Sequence, residues 1–147
     1  AFKAMRKLKK VTFGANVKVI GKAAFSNCKK LNKINFKNVT TIGNNAFAGC
    51  KALKKLTIGS KVTTIGKNAF KKCTKIKTVV IGKSVKTIKA KAFTKDNKIK
   101  KITFKGKKLK TVKKNAFSKK VKSNIKKTKL KGNKKAVKVF KKKLKIK

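Results

Sequence analysis

The chain has 147 residues, 49 Lys plus Arg against a single acid, a formal charge of +48, and neither His, Trp nor Tyr. One carboxylate and no imidazole leave no general acid–base pair or metal cluster, so enzymatic chemistry and cofactors are not expected. No apolar run approaches the roughly 20 residues that cross a bilayer, and the 39 % of apolar residues are too regularly spaced for a charge-swollen disordered tail.

Phenylalanine sets the spacing. Phe2, Phe25, Phe47, Phe70, Phe93, Phe117 and Phe140 follow one another at intervals of 23, 22, 23, 23, 24 and 23 residues. A fixed period of that size marks stacked equivalent units, each buried against its neighbours. The first, partial unit carries Leu8, Val11, Phe13, Val17 and Ile20-Gly21. The next runs Ala24-Phe25-Ser26-Asn27-Cys28, Leu31, Ile34, Phe36, Val39 and Ile42-Gly43. A third has Ala46-Phe47, Cys50, Leu53, Leu56, Ile58, Val62 and Ile65-Gly66, and a fourth Ala69-Phe70, Cys73, Ile76, Val79, Ile81, Val85 and Ile88. The fifth has Ala92-Phe93, Asp96, Ile99, Ile102, Phe104, Leu109 and Val112. Ala116-Phe117, Ile125 and Leu130 remain of the last.

Within each unit, Leu-x-x-Ile-x-Phe ends in period-2 alternation and predicts a short strand. Val-x-x-Ile-Gly predicts the opposite wall, with Gly21, Gly43 and Gly66 supplying a tight turn. Ala-Phe-x-x-Cys reads as one turn of α- or 3₁₀-helix leading to the next strand. The expected fold is a repeat solenoid of about six coils of 22–24 residues, with parallel strands about 4.8 Å apart on one face and short helical turns and strands opposite. It spans residues 1–132. Residues 133–147 form a degenerate lysine-rich repeat or cap, and Lys134–Lys147 is the stretch expected to fray. The chain opens inside a repeat and reads as a fragment of a longer protein.

The pattern resembles the BspA-type bacterial leucine-rich repeats. Their unit is approximately Ile-Gly-x-x-Ala-Phe-x-x-Cys-x-x-Leu-x-x-Ile-x-Ile-Pro-x-x-Val-x-x. Ile42-Gly43-Asn44-Asn45-Ala46-Phe47-Ala48-Gly49-Cys50-Lys51-Ala52-Leu53 follows it, as does Ile65-Gly66-Lys67-Asn68-Ala69-Phe70-Lys71-Lys72-Cys73. The chain departs from it in placing Gly14, Gly59 and Gly82 at the usual proline and lysine at nearly all the mixed polar positions. The resemblance implies a leucine-rich-repeat fold in a secreted or surface-displayed bacterial protein used in adhesion.

Cys28, Cys50 and Cys73 each lie three residues after a repeat Phe. With no Cys-x-x-Cys and no histidine they do not make a zinc site. Neighbouring coils could bring two within disulfide reach, leaving one thiol over, and a reduced buried ladder is the favoured reading. Asp96 takes the same register one coil later. Burying a lone carboxylate is unfavourable, so it is expected to be exposed by a local loop, paired with lysine, or used as a turn or helix cap. The phenylalanines could form a stacking platform for single-stranded nucleic acid, but their register favours the core.

The outward strand positions carry the remaining signal. The column before the middle apolar residue reads Lys10, Lys33, Lys55, Thr78, Lys101, Lys127. Two residues on come Thr12, Asn35, Thr57, Val80, Thr103 and Lys129, and then Gly14, Lys37, Gly59, Gly82, Lys105 and Lys131. Unit charges near 5 Å apart in water repel by roughly 0.8 kcal/mol, so such a ladder is relieved by an anionic polymer laid along it. Lys10, Lys33, Lys37, Lys55, Lys101, Lys105, Lys127, Lys129 and Lys131 are the candidate polyanion-binding residues. Candidate partners are glycosaminoglycans, sialylated glycans, teichoic acid or extracellular DNA. Equally compatible is lysine that only keeps a stacked sheet soluble and blocks edge pairing. A sequence-independent nucleic-acid binder and a wall-attachment spacer are the other functional readings. Arg6 is the lone arginine, and without arginine's planar fork the charge favours diffuse attraction over base reading.

Overall fold

The computed structural model describes residues 2–123 and 129–146. Two faces of parallel strands run along a stack of coils. The front face carries β1 (Lys10–Thr12), β3 (Lys33–Asn35), β5 (Lys55–Thr57), β7 (Thr78–Ile81), β9 (Lys101–Phe104) and β11 (Lys129–Gly132). The back face carries β2 (Val19–Ile20), β4 (Thr41–Ile42), β6 (Thr64–Ile65), β8 (Thr87–Ile88) and β10 (Thr111–Val112), joined in one five-stranded sheet. The front is divided into a β1–β3 pair and a β5–β7–β9–β11 sheet. Two short helices, α1 (Lys119–Ser123) and α2 (Lys134–Leu144), follow the regular coils.

Between the sheets lies a continuous core built of the residues the period selects. Phe25, Phe47, Phe70, Phe93 and Phe117 are buried and their rings stack face to face. Centroid separations are 5.4, 5.4, 5.5 and 4.8 Å from Phe25 upward, with interplanar angles of at most 13°. Offset stacks of this spacing contribute about 0.5–1.5 kcal/mol per pair beyond area burial. Phe2 stacks on Phe25 at 5.3 Å yet is 55 % exposed, because a neighbouring coil covers it on one side only.

The segment around each repeat Phe differs from the single helical turn expected there. Phe25, Phe47, Phe70 and Phe93 each donate their amide to the carbonyl of the alanine one coil on, at 2.7–2.9 Å. An amide committed to the next coil cannot close a helical bond to residue i−4 or a 3₁₀ bond to residue i−3. The backbone instead makes successive turns, with left-handed residues on both sides: Asn45 and Gly49 around Phe47, Asn68 and Lys72 around Phe70, Lys91 and Lys95 around Phe93.

Gly43 and Gly66 also act differently from expectation, since neither has a positive φ. They permit close approach: a Cβ on Gly43 would lie 2.5 Å from the Ile20 carbonyl oxygen, and one on Gly66 would lie 2.6 Å from the Gly43 backbone carbon.

The stretch expected to fray is instead helix α2 through Leu144. Asn133 caps it by accepting from the Ala136 amide, and Lys145 closes it in a left-handed conformation. Ala136, Phe140 and Leu144 share its buried face. Phe140 continues the aromatic column, but as an edge-on contact to Phe117 at 5.2 Å and 81°. The four-residue spacing puts three apolar side chains on one stripe, which outweighs the repulsion among its lysines.

Candidate functional site

The front strands pair in parallel register, which places equivalent side chains directly above one another. Lys10 pairs with Lys33, Thr78 with Lys101, and Lys101 with Lys129. Lys55 pairs with Thr78, which interrupts the column. Lys10, Lys33, Lys55 and Lys129 are exposed and Lys101 is half-buried.

The register corrects three of the expected positions. Lys129, not Lys127, stands over Lys101; Lys131 stands over Thr103 in the second column; Gly132 stands over Phe104. Lys127 itself lies outside the described residues. The cause is the longer last coil: Ile102 and its partner Leu130 are 28 residues apart, whereas Val79 and Ile102 are 23 apart. Helix α1 occupies part of the extra length, with Val121 buried. Lys105 is exposed just beyond β9, its amide bonded to the Ile81 carbonyl at 3.0 Å. Lys37 is also exposed, but beyond the end of β3 and at φ 31°.

Crowding of the cations acts on two of the described lysines. The charges of Lys129 and Lys101 lower the pKa of Lys131. Lys122 is lowered as well, by burial first and then by Lys114 and Lys119, and its ammonium group donates to the Lys114 carbonyl. Lowered lysine pKa values are the expected mark of like charges held together.

Between β3 and β5 the front sheet opens. The Asn35 side chain accepts the Lys37 amide at 3.0 Å, a local turn just past the end of β3. No backbone hydrogen bond joins β3 to β5, whereas Phe13 donates to Asn35 below and Ile58 to Val80 above. The result is a groove of about 740 Å³. Lys10, Lys33, Lys54, Lys55 and Lys75 surround it, Asn32, Asn35 and Thr57 add polar groups, and Ile34 and Ala52 contribute apolar surface. Ile34 is half-buried, while Leu56, Val79 and Ile102 in the same register are buried. Lys54, Lys75 and Asn32 were not among the residues singled out from sequence. They stand outside the alternating columns, and only the break in pairing brings them to one place.

The other candidates resolve into structural roles. From Phe25 upward the phenylalanine column is buried and occupied by its own stacking, so those rings offer no platform to a ligand base. Cys28, Cys50 and Cys73 are free and buried. Their thiols donate to the carbonyls of Phe2, Phe25 and Phe47 at 3.1, 3.2 and 3.2 Å. Burial, followed by the neighbouring Cys28, pushes the Cys50 pKa up to about 12. Burial and then Asp96 raise that of Cys73 well above the usual thiol range. Thiols held protonated are unreactive.

Asp96 departs from expectation. It is fully buried, and neither carboxyl oxygen has a hydrogen-bond partner. Burial pushes its pKa up to about 8. Exposure, a lysine partner and a capping role are thereby all excluded. The physical resolution is neutrality: a protonated carboxyl can occupy a cysteine position where a carboxylate would not be tolerated.

Residues 1–134 match the family described as BspA type leucine rich repeat region, in six copies. No curated protein matches the chain. Among solved structures, a leucine rich cell surface protein from Faecalibacterium prausnitzii A2-165 is 33 % identical over 72 % of this chain, with a TM-score of 0.69. A leucine-rich repeat protein from Bacteroides ovatus ATCC 8483 is 27 % identical over 90 % of the chain, with a TM-score of 0.66. The pneumococcal vaccine antigen PcpA, at 24 % identity over 90 % and a TM-score of 0.68, shares the fold. The chain spans only 28 %, 39 % and 38 % of the lengths of these three proteins.

Proposed function

The chain belongs to the BspA-type leucine-rich repeat family, and from that premise we propose that it is a binding module of a secreted or cell-surface bacterial protein whose lysine-bearing front sheet engages anionic polymers. The surface assignment draws on the Faecalibacterium relative, which is a cell surface protein. The polymer assignment rests chiefly on the parallel register that stacks Lys10 on Lys33 and Lys101 on Lys129. Rungs of a parallel sheet repeat at about 4.8 Å, within the screening length of about 8 Å at physiological salt. Stacked ammonium groups therefore lie within reach of one another's charge, and a polyanion running along the stack removes that repulsion.

Heparin and duplex DNA affinities measured from low to physiological salt test this reading. If about six phosphates are neutralised, duplex affinity falls roughly a thousandfold between 50 and 200 mM salt. A flat salt profile would remove the electrostatic mechanism. Replacing Lys10, Lys33, Lys55 and Lys101 by alanine should weaken heparin binding far more than replacing Lys18, Lys86, Lys110 and Lys113, which flank the back strands. Equal losses would mean that net charge acts and no face is a site.

A further inference from the structure

We infer that the groove between β3 and β5 is a seat for one acidic sugar unit of a carboxylated or sulfated polysaccharide, held there while the rest of the polymer follows the lysine column. This rests on the polyanion reading above and narrows it to a ligand class and a place.

Three features of the groove go beyond charge. Its volume, about 740 Å³, falls within the range of small-molecule sites. Half-buried Ile34, together with Ala52, supplies an apolar patch suited to the C–H face of a pyranose ring. The amide of Asn32 and the hydroxyl of Thr57 can pair with sugar hydroxyls. Lys33, Lys55 and Lys75 then stand around that polar and apolar floor to meet a carboxylate or sulfate.

The same chemistry argues against a nucleic acid in this position. Stacking a base requires an exposed ring, and none lines the groove. Lysine is moreover a point charge without the planar fork of arginine. The regular rungs above it, such as β7 on β9, close through backbone pairing, so the opening belongs to the place where β3 and β5 are unpaired.

A heparin-derived tetrasaccharide titrated into the purified chain at about 150 mM salt, followed by amide chemical shifts and calorimetry, tests the inference. Exposed Lys33 and Lys55 tolerate replacement without disturbing the core, so Lys33→Gln with Lys55→Gln should weaken the tetrasaccharide at least about tenfold. Lys101→Gln with Lys129→Gln removes the same charge from the same face and should change it less than about twofold. The charge-silent Asn32→Ala should weaken it about threefold or more.

Equal losses in the two lysine pairs would overturn the groove assignment. Binding of long heparin without any binding of the tetrasaccharide would also overturn it, while leaving the broader polyanion reading intact. Failure of long heparin to bind would end both. A single-stranded oligonucleotide of equal charge that bound the groove as well as the tetrasaccharide would overturn the sugar preference.

Discussion

At the residue scale, Asp96 makes the sharpest prediction. Cysteines one, two and three coils earlier donate to a phenylalanine carbonyl behind them, and a protonated Asp96 is suited to the same task. Its pKa rises from 3.8 to about 8 on folding. The folded state therefore holds the proton more tightly, so the stability associated with it is complete below pH 4 and is lost as pH rises through about 8. Thermal unfolding should show a midpoint that falls across that window and then levels. Asp96→Cys should flatten the profile and, at pH 8, stabilise the chain by about 1–3 kcal/mol, the usual penalty of an unsatisfied buried polar group. A midpoint that rose with pH from 4 to 8 would contradict the assignment. The residue's register was legible in the sequence but its environment was not, because the expectation treated the carboxyl as ionised.

At the scale of elements, the phenylalanine period was legible because identical coils repeat the same packing problem. Phe70, fully buried between Phe47 and Phe93, should cost about 3–5 kcal/mol on replacement by alanine. Phe2→Ala should cost markedly less, since the ring is 55 % exposed. Chemical denaturation of the two variants measures the difference, and equal losses would deny that the column is the core. The turns beside each phenylalanine were harder to read. Ala-Phe-x-x-Cys carries no mark showing that its amides serve the next coil, and helix and turn differ only in where those bonds go. Register failed at β11 for a related reason: a lengthened coil shifts every later residue, and sequence alone does not say where the extra chain is stored.

For the whole molecule, a solenoid was recoverable because each coil contacts mainly its neighbours, so one unit's pattern implies the stack. With its single acid, Asp96, buried and its pKa pushed up to about 8, the chain leaves its lysines to find counter-charge in what they bind. The groove was illegible because it depends on a gap in pairing between β3 and β5 that the alternating pattern of the strands does not encode. That same interruption has a mechanical consequence. Pulled from its two ends, the stack should part first where the front sheet is unpaired. There β4–β6 pairing, the turn bonds from the Phe25 and Asn27 amides and the Phe25–Phe47 stack hold without a paired front sheet. Optical-tweezer extension should thus show an early, low-force rip releasing the chain up to about β3, well before the tightly laced coils from β5 onward give way.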